Sequence, residues 1–321
     1  MSQSIVPTFS LPELRDGSRQ EALRTCLETL GFFYLTGYGL SDATHEHLTD
    51  TVMDFFENAT AEQKLAVTNI NPKIRRGYSQ LEKESTARAT KAGSYSDFSM
   101  AYSVGVSNNL FPSPAFQQTL TAYFDAAYRV ARETGKAVLK AVGVDLPGGL
   151  DAFLDCDPIL RCRYFPDVPR ERCAEHQPAR MAPHYDVSVV TLIQQTPCAN
   201  GFVSLQCETK GGYVELPYKP EALIVMCGAV AKLVSNGKII AANHQIVAPP
   251  EQLRVGSSRR SSVFFLRPSA DFTFSVAQAQ QVGLDVALGG ETATFGEWIG
   301  GNYVEMRTAA QLSAAEESAM Q

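Results

Sequence analysis

The sequence predicts a mostly β core, in the form of a barrel or sandwich, with flanking helices and a helical N-terminal region. Two observations lead to this fold class. From about residue 157, short apolar runs alternate with turn signals at near-regular spacing, which is typical of a barrel or sandwich rather than a parallel α/β sheet. Before that position, apolar residues recur mainly at helical spacing. We therefore expect a helical region over 1–156 packing on the core, a β core over 157–306 and a C-terminal arm over 307–321.

The N-terminal region contains one clear strand and two clear helices. The run LGFFYLTGYGL (30–40) is apolar and punctuated by glycines, which predicts a buried strand leading into a turn. Ser41 can cap the helix that follows. Ser113 and Pro114 open a second helix with one apolar stripe, and Gly143 is predicted to end it.

The strands of the core are predicted from apolar and β-branched runs bounded by turn residues. Turns at Asn200-Gly201, Gly211-Gly212 and Asn236-Gly237 suit hairpins that need a positive φ. The strand candidates are ILRCRYF (159–165), VSVVTLI (187–193), FVSLQCE (202–208), YVELP (213–217), ALIVMCG (222–228), KII (238–240) and SVFFLRP (262–268).

The bulk composition excludes several classes of protein. The formal net charge of −6, from 28 basic and 34 acidic residues, argues against nucleic acid as the main partner. No apolar run approaches the length of a membrane span, and the N-terminal residues lack the pattern of a secretory signal. The seven cysteines are scattered without a CxxC pair, which suits neither a zinc site nor a disulfide framework. We expect a cytoplasmic protein with reduced, mostly buried thiols.

Two of the five histidines indicate a metal site. His184 and Asp186 are two residues apart at the predicted start of a strand, so both side chains should point to one face. His244 follows 58 positions later, after a predicted strand and turn. Two imidazoles and one carboxylate on one face are the ligand set of non-haem iron(II) oxygenases, because they leave metal positions open for cosubstrate and O₂. The remaining histidines are expected on the surface: His45, His47 and His176.

An HxD motif alone is weak evidence for an iron site. The segment Arg259-Arg260-Ser261 supplies a second, independent feature. Arg259 and Ser261 alternate onto one face of the strand that continues into SVFFLRP, while Arg260 faces away. A guanidinium fork beside a hydroxyl matches the distal carboxylate of 2-oxoglutarate, whose other end would chelate iron. The alternative, a surface arginine on an edge strand, fits poorly with the apolar strand that follows.

These residues and longer segments identify a family. The chain resembles the 2-oxoglutarate/iron(II) oxygenases and, within them, the ring-expanding enzymes of the deacetoxycephalosporin C synthase type. This resemblance implies a double-stranded β-helix (jelly roll), Fe(II), the cosubstrates 2-oxoglutarate and O₂, and a small-molecule substrate. The segments that carry it are VPTFSLPEL, GFFYLTGYGL, RRGYS, GSYSDFSM, NLFPSP, LRCRYFP, RMAPHYD, TLIQQTPCANGFVSLQ, SSRRSSVFFLRP, ADFTFSV and ETATFGEWIGGNYV.

The resemblance also implies roles for individual residues. His184, Asp186 and His244 match the iron ligands, and Arg259 and Ser261 match the 2-oxoglutarate anchor. Three arginines match positions that hold the anionic substrate of the β-lactam enzymes: Arg75, Arg161 and Arg163. Met181, Ile193, Leu205, Ile246 and Phe265 match apolar positions of the pocket. A surface salt-bridge ladder would also explain the arginines, and core packing would explain the apolar residues.

Two departures from the β-lactam enzymes bear on the substrate. Glu305 stands where those enzymes have an asparagine near the penicillin side chain, and their Arg-His-His at the third ligand becomes Asn243-His244-Gln245. A glutamate would repel an acidic side chain. We therefore favour the oxidative ring expansion of a dearomatised phenol to a tropolone, as in the fungal tropolone-forming dioxygenases.

Two alternatives stay open. The first is ring expansion of penicillin N. The second, of another class, is a jelly-roll binding module without turnover, which would predict a broken ligand triad or a lost anchor; all five of those residues are present. The C-terminal arm is a candidate contact between copies of the chain.

Overall fold

The computed structural model describes residues 6–69, 71, 73–154 and 157–307. Helices and strands alternate along the N-terminal half, and strands dominate from residue 159. The helices are α1 (Leu11–Asp16), α2 (Gln20–Thr29), α3 (Asp42–Asn58), α4 (Ala61–Ala66), α5 (Thr86–Ala89), α6 (Pro114–Ala141), α7 (Gly149–Phe153), α8 (Ala229–Val234), α9 (Val276–Gln281) and α10 (Phe295–Met306). The strands are β1 (Thr8–Ser10), β2 (Phe32–Thr36), β3 (Gly77–Ser79), β4 (Met100–Gly105), β5 (Ile159–Phe165), β6 (Ala179–His184), β7 (Val190–Gln195), β8 (Leu205–Thr209), β9 (Gly212–Glu215), β10 (Leu223–Cys227), β11 (His244–Val247), β12 (Arg259–Leu266), β13 (Thr273–Ser275) and β14 (Thr292–Thr294).

Two sheets form the core. In the part of the chain that the structure describes, the larger sheet has the order β1-β2-β10-β7-β12-β5-β4-β3, and the smaller has the order β6-β11-β8-β9. Side chains of both sheets meet in one apolar cluster that includes Ile193 and Val263 from the larger sheet and Met181, Leu205 and Ile246 from the smaller. The predicted mostly β core is therefore confirmed, and the two facing sheets form a jelly roll.

Helix α6 covers the other face of the larger sheet. Its start follows from the sequence, because Ser113 accepts a hydrogen bond from the backbone N–H of Phe116 and a proline occupies the first turn. Gly143 follows the helix in the left-handed conformation with φ of 73°, which explains why the helix ends there. The ring of Phe124 lies 5.3 Å from that of Phe264 on β12. The apolar face of α6 thus packs against one face of the larger sheet and leaves the opposite face of that sheet for the site.

The N-terminal region is less purely helical than the sequence suggested. Strands β1, β2, β3 and β4 all lie before residue 157 and extend the larger sheet at both edges. In β2, Phe33 pairs with Val225 of β10. The strand predicted within 30–40 is confirmed as β2, whereas β1, β3 and β4 were missed, because short strands without a hairpin partner nearby carry little periodic signal.

Two further expectations are wrong. KII (238–240) is not a strand; it lies in the irregular segment between α8 and β11. His45 is not solvated but 3% exposed, because it lies between the hydroxyls of Tyr38 (3.2 Å) and Tyr123 (3.0 Å). Burial lowers the pKa of His45, which favours the neutral ring that such a network needs.

Other expectations concern burial and the chain ends. The six cysteines that the structure describes are free and buried, as expected, and Cys156 lies outside the described residues. Residues 308–321 of the expected C-terminal arm also lie outside them. No helix in the described ranges combines the length and apolar character needed to cross a bilayer.

Gly228 joins β10 to α8 and packs against the segment that carries Asp186. The backbone N–H of Gly228 donates to the carbonyl of Val189, and that of Ala229 donates to the carbonyl of Asp186 at 2.7 Å. A Cβ at position 228 would lie 2.4 Å from the carbonyl oxygen of Ser188 and 2.6 Å from that of Asp186. Only glycine permits this close approach of two backbones.

We predict that Gly228→Ala lowers the free energy of unfolding by about 1–3 kcal/mol, because the backbone must move to relieve the contact. Urea unfolding measures the change. Gly289→Ala is the matched control, since no atom lies within 4 Å of a Cβ at that position. Equal stability of the two variants would contradict this packing argument.

Candidate metal centre

Strand pairing brings the two predicted histidine ligands together. His184 is the last residue of β6 and pairs with His244, the first residue of β11. Their rings lie 4.3 Å apart between centroids. Asp186 follows in the loop after β6, so the motif lies at the end of a strand and not at the start of one. A carboxylate oxygen of Asp186 lies 3.8 Å from Nε2 of His184.

The three side chains form a group that can hold one metal ion. Among the residues that the structure describes, His184, Asp186 and His244 are the group whose ligand atoms all lie within 4.8 Å of one another. Asp186 and His244 are buried, and His184 is partly buried. Two imidazoles and a carboxylate on one side of a metal leave further positions open, which suits Fe(II) with a chelating cosubstrate.

Backbone carbonyls orient both imidazoles. Nδ1 of His184 lies 2.8 Å from the carbonyl oxygen of Ala182, and Nδ1 of His244 lies 3.0 Å from that of Ala242. Each Nδ1 must then carry the proton and donate it, which leaves Nε2 as a lone-pair donor for a metal. Burial, and next the neighbouring His244, lower the pKa of His184, so this ring is neutral and ready to bind a cation.

The carboxylate of Asp186 also fits a metal. Its Oδ2 atom is buried and has no hydrogen-bond partner among the described residues. A buried carboxylate oxygen without a partner is costly, and a bound cation removes that cost. The donor set and this unpaired oxygen therefore agree with a resident Fe(II).

The triad opens into a cavity of about 460 Å³ between the sheets. This volume lies in the usual range for small-molecule sites, so a cosubstrate and a compact substrate both fit. The cavity is lined by every predicted site residue except Glu305: Arg75, Arg161, Arg163, Met181, His184, Asp186, Ile193, Leu205, His244, Ile246, Arg259, Ser261 and Phe265.

Arg259 and Ser261 form one polar end of the cavity. Both are buried on β12, whereas Arg260 between them is partly exposed, which is the alternation predicted from the sequence. Nη2 of Arg259 donates to Oε1 of Gln195 at 2.7 Å, while Nη1 is buried and has no hydrogen-bond partner among the described residues. Burial lowers the pKa of Arg259 to about 10, so it stays charged at neutral pH. The free nitrogen suits an incoming carboxylate.

A second group of arginines forms another wall of the cavity. Arg161 and Arg163 alternate on β5 and are both buried, and the guanidinium of Arg75 lies over the ring of Tyr303 at 4.5 Å. Nε of Arg161 is buried without a hydrogen-bond partner in the described part of the chain. Because Arg161 and Arg163 are buried, they do not form the surface salt-bridge ladder considered as an alternative. We call Arg75, Arg161 and Arg163 the arginine wall.

Glu84 is the carboxylate that the arginine wall shares, and sequence reasoning missed it. Its Oε2 lies 2.7 Å from Nη2 of Arg161, 3.4 Å from Nη2 of Arg75 and 4.0 Å from Nη2 of Arg163. Burial would raise the pKa of Glu84, but the charges of Arg161, Arg75 and Arg163 outweigh it and lower that pKa well below its usual range. Because Glu84 is charged, the wall keeps two positive charges in excess of this carboxylate.

The C-terminal helix supplies another part of the lining that sequence reasoning missed. Residues of α10 at helical spacing face the cavity: Trp298, Ile299, Asn302, Tyr303 and Met306. Glu305 is exposed and lies outside the lining, where its charge acts on exposed Lys91. The spacing 298, 302 and 306 was a usable signal, since residues four apart lie on one face of a helix.

Family models match two parts of the chain. Residues 156–268 match the 2OG-Fe(II) oxygenase superfamily, and residues 6–118 match the N-terminal region described as "non-haem dioxygenase in morphine synthesis". The first match contains all three residues of the triad and both residues of the arginine-serine pair.

Individual relatives match almost the whole chain. Deacetoxycephalosporin C hydroxylase of Streptomyces clavuligerus is 55% identical over 309 residues, covering 95% of this chain and 97% of the relative. Deacetoxycephalosporin C synthase of Amycolatopsis lactamdurans is 54% identical over 311 residues, covering 97% and 99%. Isopenicillin N synthase of Streptomyces griseus is more distant, with 25% identity over 289 residues, 81% of this chain and 84% of the relative.

Solved structures agree in fold. A full-length Neurospora crassa protein in complex with alpha-KG superposes with a TM-score of 0.74 at 22% identity, covering 93% of this chain and 95% of that one. At this identity the similarity supports the fold alone. Together with the identity to the two cephalosporin enzymes, the family matches establish that this chain belongs to the 2OG-Fe(II) oxygenases and is an Fe(II)- and 2-oxoglutarate-dependent dioxygenase.

Proposed function

We propose that this enzyme expands the five-membered ring of a carboxylate-bearing β-lactam of the penicillin N type, with His184, Asp186 and His244 as the iron ligands. The observation that carries the proposal is the arginine wall, whose excess positive charge faces the same cavity as the triad. Identity of 54% to a deacetoxycephalosporin C synthase supports this substrate class.

The chain's own residues have separate tasks in this reaction. Bound Fe(II), with 2-oxoglutarate and O₂, supplies the oxidation that breaks an unactivated C–H bond. Arg259 and Ser261 hold the distal carboxylate of 2-oxoglutarate, so its other end reaches the metal. The arginine wall holds the substrate carboxylate, and this contact aims a methyl group of the substrate at the metal.

The apolar lining completes the site. Met181, Ile193, Leu205, Ile246 and Phe265 come from both sheets and surround the region between the triad and the arginines. They exclude water, so that reactive species are consumed by the substrate and not by solvent. Because Glu305 is exposed outside the cavity, we leave it out of the proposed substrate contacts. The charge repulsion by Glu305 that had favoured a dearomatised phenol over penicillin N then loses its basis.

The expectation of a tropolone precursor is not supported by the relatives, which are cephalosporin enzymes. A binding module without turnover does not fit a chain that keeps the complete triad and anchor and belongs to the dioxygenase family. A small-molecule substrate is consistent with the size of the cavity.

We also propose that the core over 157–306 and the region over 1–156 act as one unit, since both contribute to the arginine wall.

A second candidate function is hydroxylation of the exocyclic methyl group of the expanded ring. The observation that favours it is the sequence identity of 55% to a deacetoxycephalosporin C hydroxylase, which is as high as the 54% identity to the synthase. Both reactions need the same metal, cosubstrate and carboxylate contact. They differ in whether the ring of the substrate is expanded or a hydroxyl group is added to it.

We predict that His184→Ala and His244→Ala abolish turnover and lower the Fe(II) content, because each removes one of three ligands. Metal analysis and succinate release measure both effects. His176→Ala is the control, because this histidine is exposed on a loop. Near-wild-type activity with iron in either ligand variant would refute the assignment.

For the cosubstrate, we predict that Arg259→Ala raises the half-saturating concentration of 2-oxoglutarate at least about tenfold. The lost charge-assisted contact contributes about 1.5–3 kcal/mol. Arg260→Ala is the matched control on the same strand and should change this concentration little, because its side chain faces the other way. Equal damage from both substitutions would contradict the strand-face argument.

The reaction itself is tested with purified protein, Fe(II), 2-oxoglutarate and either penicillin N or deacetoxycephalosporin C, with products followed by mass spectrometry and NMR. Ring expansion predicts a product two hydrogen atoms lighter than penicillin N, with the loss of one methyl signal. Hydroxylation predicts a product one oxygen atom heavier than deacetoxycephalosporin C. If neither substrate stimulates succinate release, the β-lactam assignment is wrong.

A further inference from the structure

A second, smaller cavity lies behind the arginine wall. It has a volume of about 200 Å³ and shares Arg75 and Arg161 with the metal cavity. Glu84 lines this second cavity and not the first. The arginines therefore lie between the carboxylate behind them and the substrate space in front of them.

The carboxylate of Glu84 is itself held in place. Oγ of Ser79 donates to its Oε1 at 3.0 Å, and the backbone N–H of Asp97 donates to its carbonyl oxygen at 2.8 Å. The backbone of Glu84 also forms an isolated bridge with Arg307, beyond the end of α10. Side chain and backbone are thus both fixed, and Oε2 remains directed at the arginines.

The three guanidinium groups of the wall, two of them buried, repel one another, and the shared carboxylate opposes this repulsion. Each arginine approaches Oε2 of Glu84 through its Nη2 atom. Arg161 and Arg163 also donate through Nη1 to Ser103 and Ser99, at 3.1 and 2.9 Å. These contacts fix the orientation of the two guanidinium planes as well as their positions.

We propose that Glu84 is a positioning residue that sets where the arginine wall holds the substrate carboxylate, and through this which C–H bond faces the metal. This inference rests on the proposed role of the wall in substrate binding. Glu84 touches neither the metal ligands nor the cavity in front of them. It acts on the reaction only through the three arginines.

The same arrangement selects the charge of the substrate. With Glu84 in place, the wall has a charge of plus two from three arginines and one carboxylate. Asp97 is a further buried acid near Arg163; burial raises its pKa to about 6, so at neutral pH its charge reduces this excess without removing it. An anionic group is therefore the chemistry that this wall accommodates, and a neutral ester or amide at the same position would leave buried positive charge without a partner.

The test compares Glu84→Gln, Glu84→Asp and the control Glu82→Gln. Glu82 belongs to the same loop but pairs with Arg172 and lines neither cavity. For each variant, the ratio of 2-oxoglutarate consumed to substrate oxidised is measured, together with 2-oxoglutarate turnover without substrate. Crystal structures of the wild type and Glu84→Gln compare the positions of the three guanidinium groups without any substrate.

In Glu84→Gln, product formation should fall at least about tenfold, because small displacements of a bound substrate have effects of this size or larger. Consumption of 2-oxoglutarate should fall much less, so the reaction becomes uncoupled, while turnover without substrate stays near that of the wild type. Glu84→Asp keeps the charge and should restore part of the coupling. Glu82→Gln should match the wild type in every measurement.

A merely structural role would lower all rates together and leave the ratio unchanged, and that result would overturn the proposal. Unmoved guanidinium groups in the Glu84→Gln crystal would overturn it as well. If Glu84→Gln does not fold, the test rests on Glu84→Asp. The shorter side chain of aspartate moves the carboxylate, and the guanidinium groups should move with it, so the ratio of 2-oxoglutarate consumed to substrate oxidised should rise. A ratio equal to that of the wild type would overturn the proposal. If the wild type oxidises no β-lactam, the proposed function fails separately, and the crystal comparison still decides the role of Glu84.

Discussion

The pairing of β6 with β11 is the constraint on which the site depends. Two strands far apart in sequence meet in a register that places His184 opposite His244. Backbone hydrogen bonds of the sheet set the spacing of the two rings, and the carbonyl groups two residues before each histidine set their tautomers. The third ligand is fixed by another backbone contact, between the carbonyl of Asp186 and the N–H of Ala229. The metal geometry is thus a property of the main chain more than of side-chain packing.

The arginine wall rests on a different principle. Its members come from β5 and from the segment before β3, and no hydrogen-bonded ladder fixes their long side chains. Their positions are set by the partly buried carboxylate of Glu84 and by two serine hydroxyls. One end of the cavity is therefore rigid because of its backbone, and another is ordered by charge balance. This division suits an enzyme whose chemistry is common to a large family and whose substrate is particular to a small branch of it.

The sequence predicted much of the site because short-range patterns carry it. Alternation along a strand was enough to put Arg259 and Ser261 on one face, whereas His184 and Asp186 come together although Asp186 lies in the loop after β6 and not on a strand. Glu84 could not be predicted in this way, since it lies in the charged stretch LEKESTAR and acquires its role only where β5 and the segment around Arg75 converge. The burial of His45 could not be predicted for the same reason, because Tyr38 and Tyr123, which bury it, lie outside its own helix. Polar segments give no sign of such burial until tertiary contacts are known.

The edge strands of the larger sheet have a consequence for how the chain folds. Phe33 of β2 pairs with Val225 of β10, so the sheet joins residues that lie 192 positions apart in the sequence. Contacts of such long sequence separation slow folding, because a large loop must close before they form. During synthesis, β2 emerges long before its partner and must wait with an apolar surface exposed. Until β10 has been synthesised, the apolar run of β2 is therefore a site where the nascent chain can aggregate.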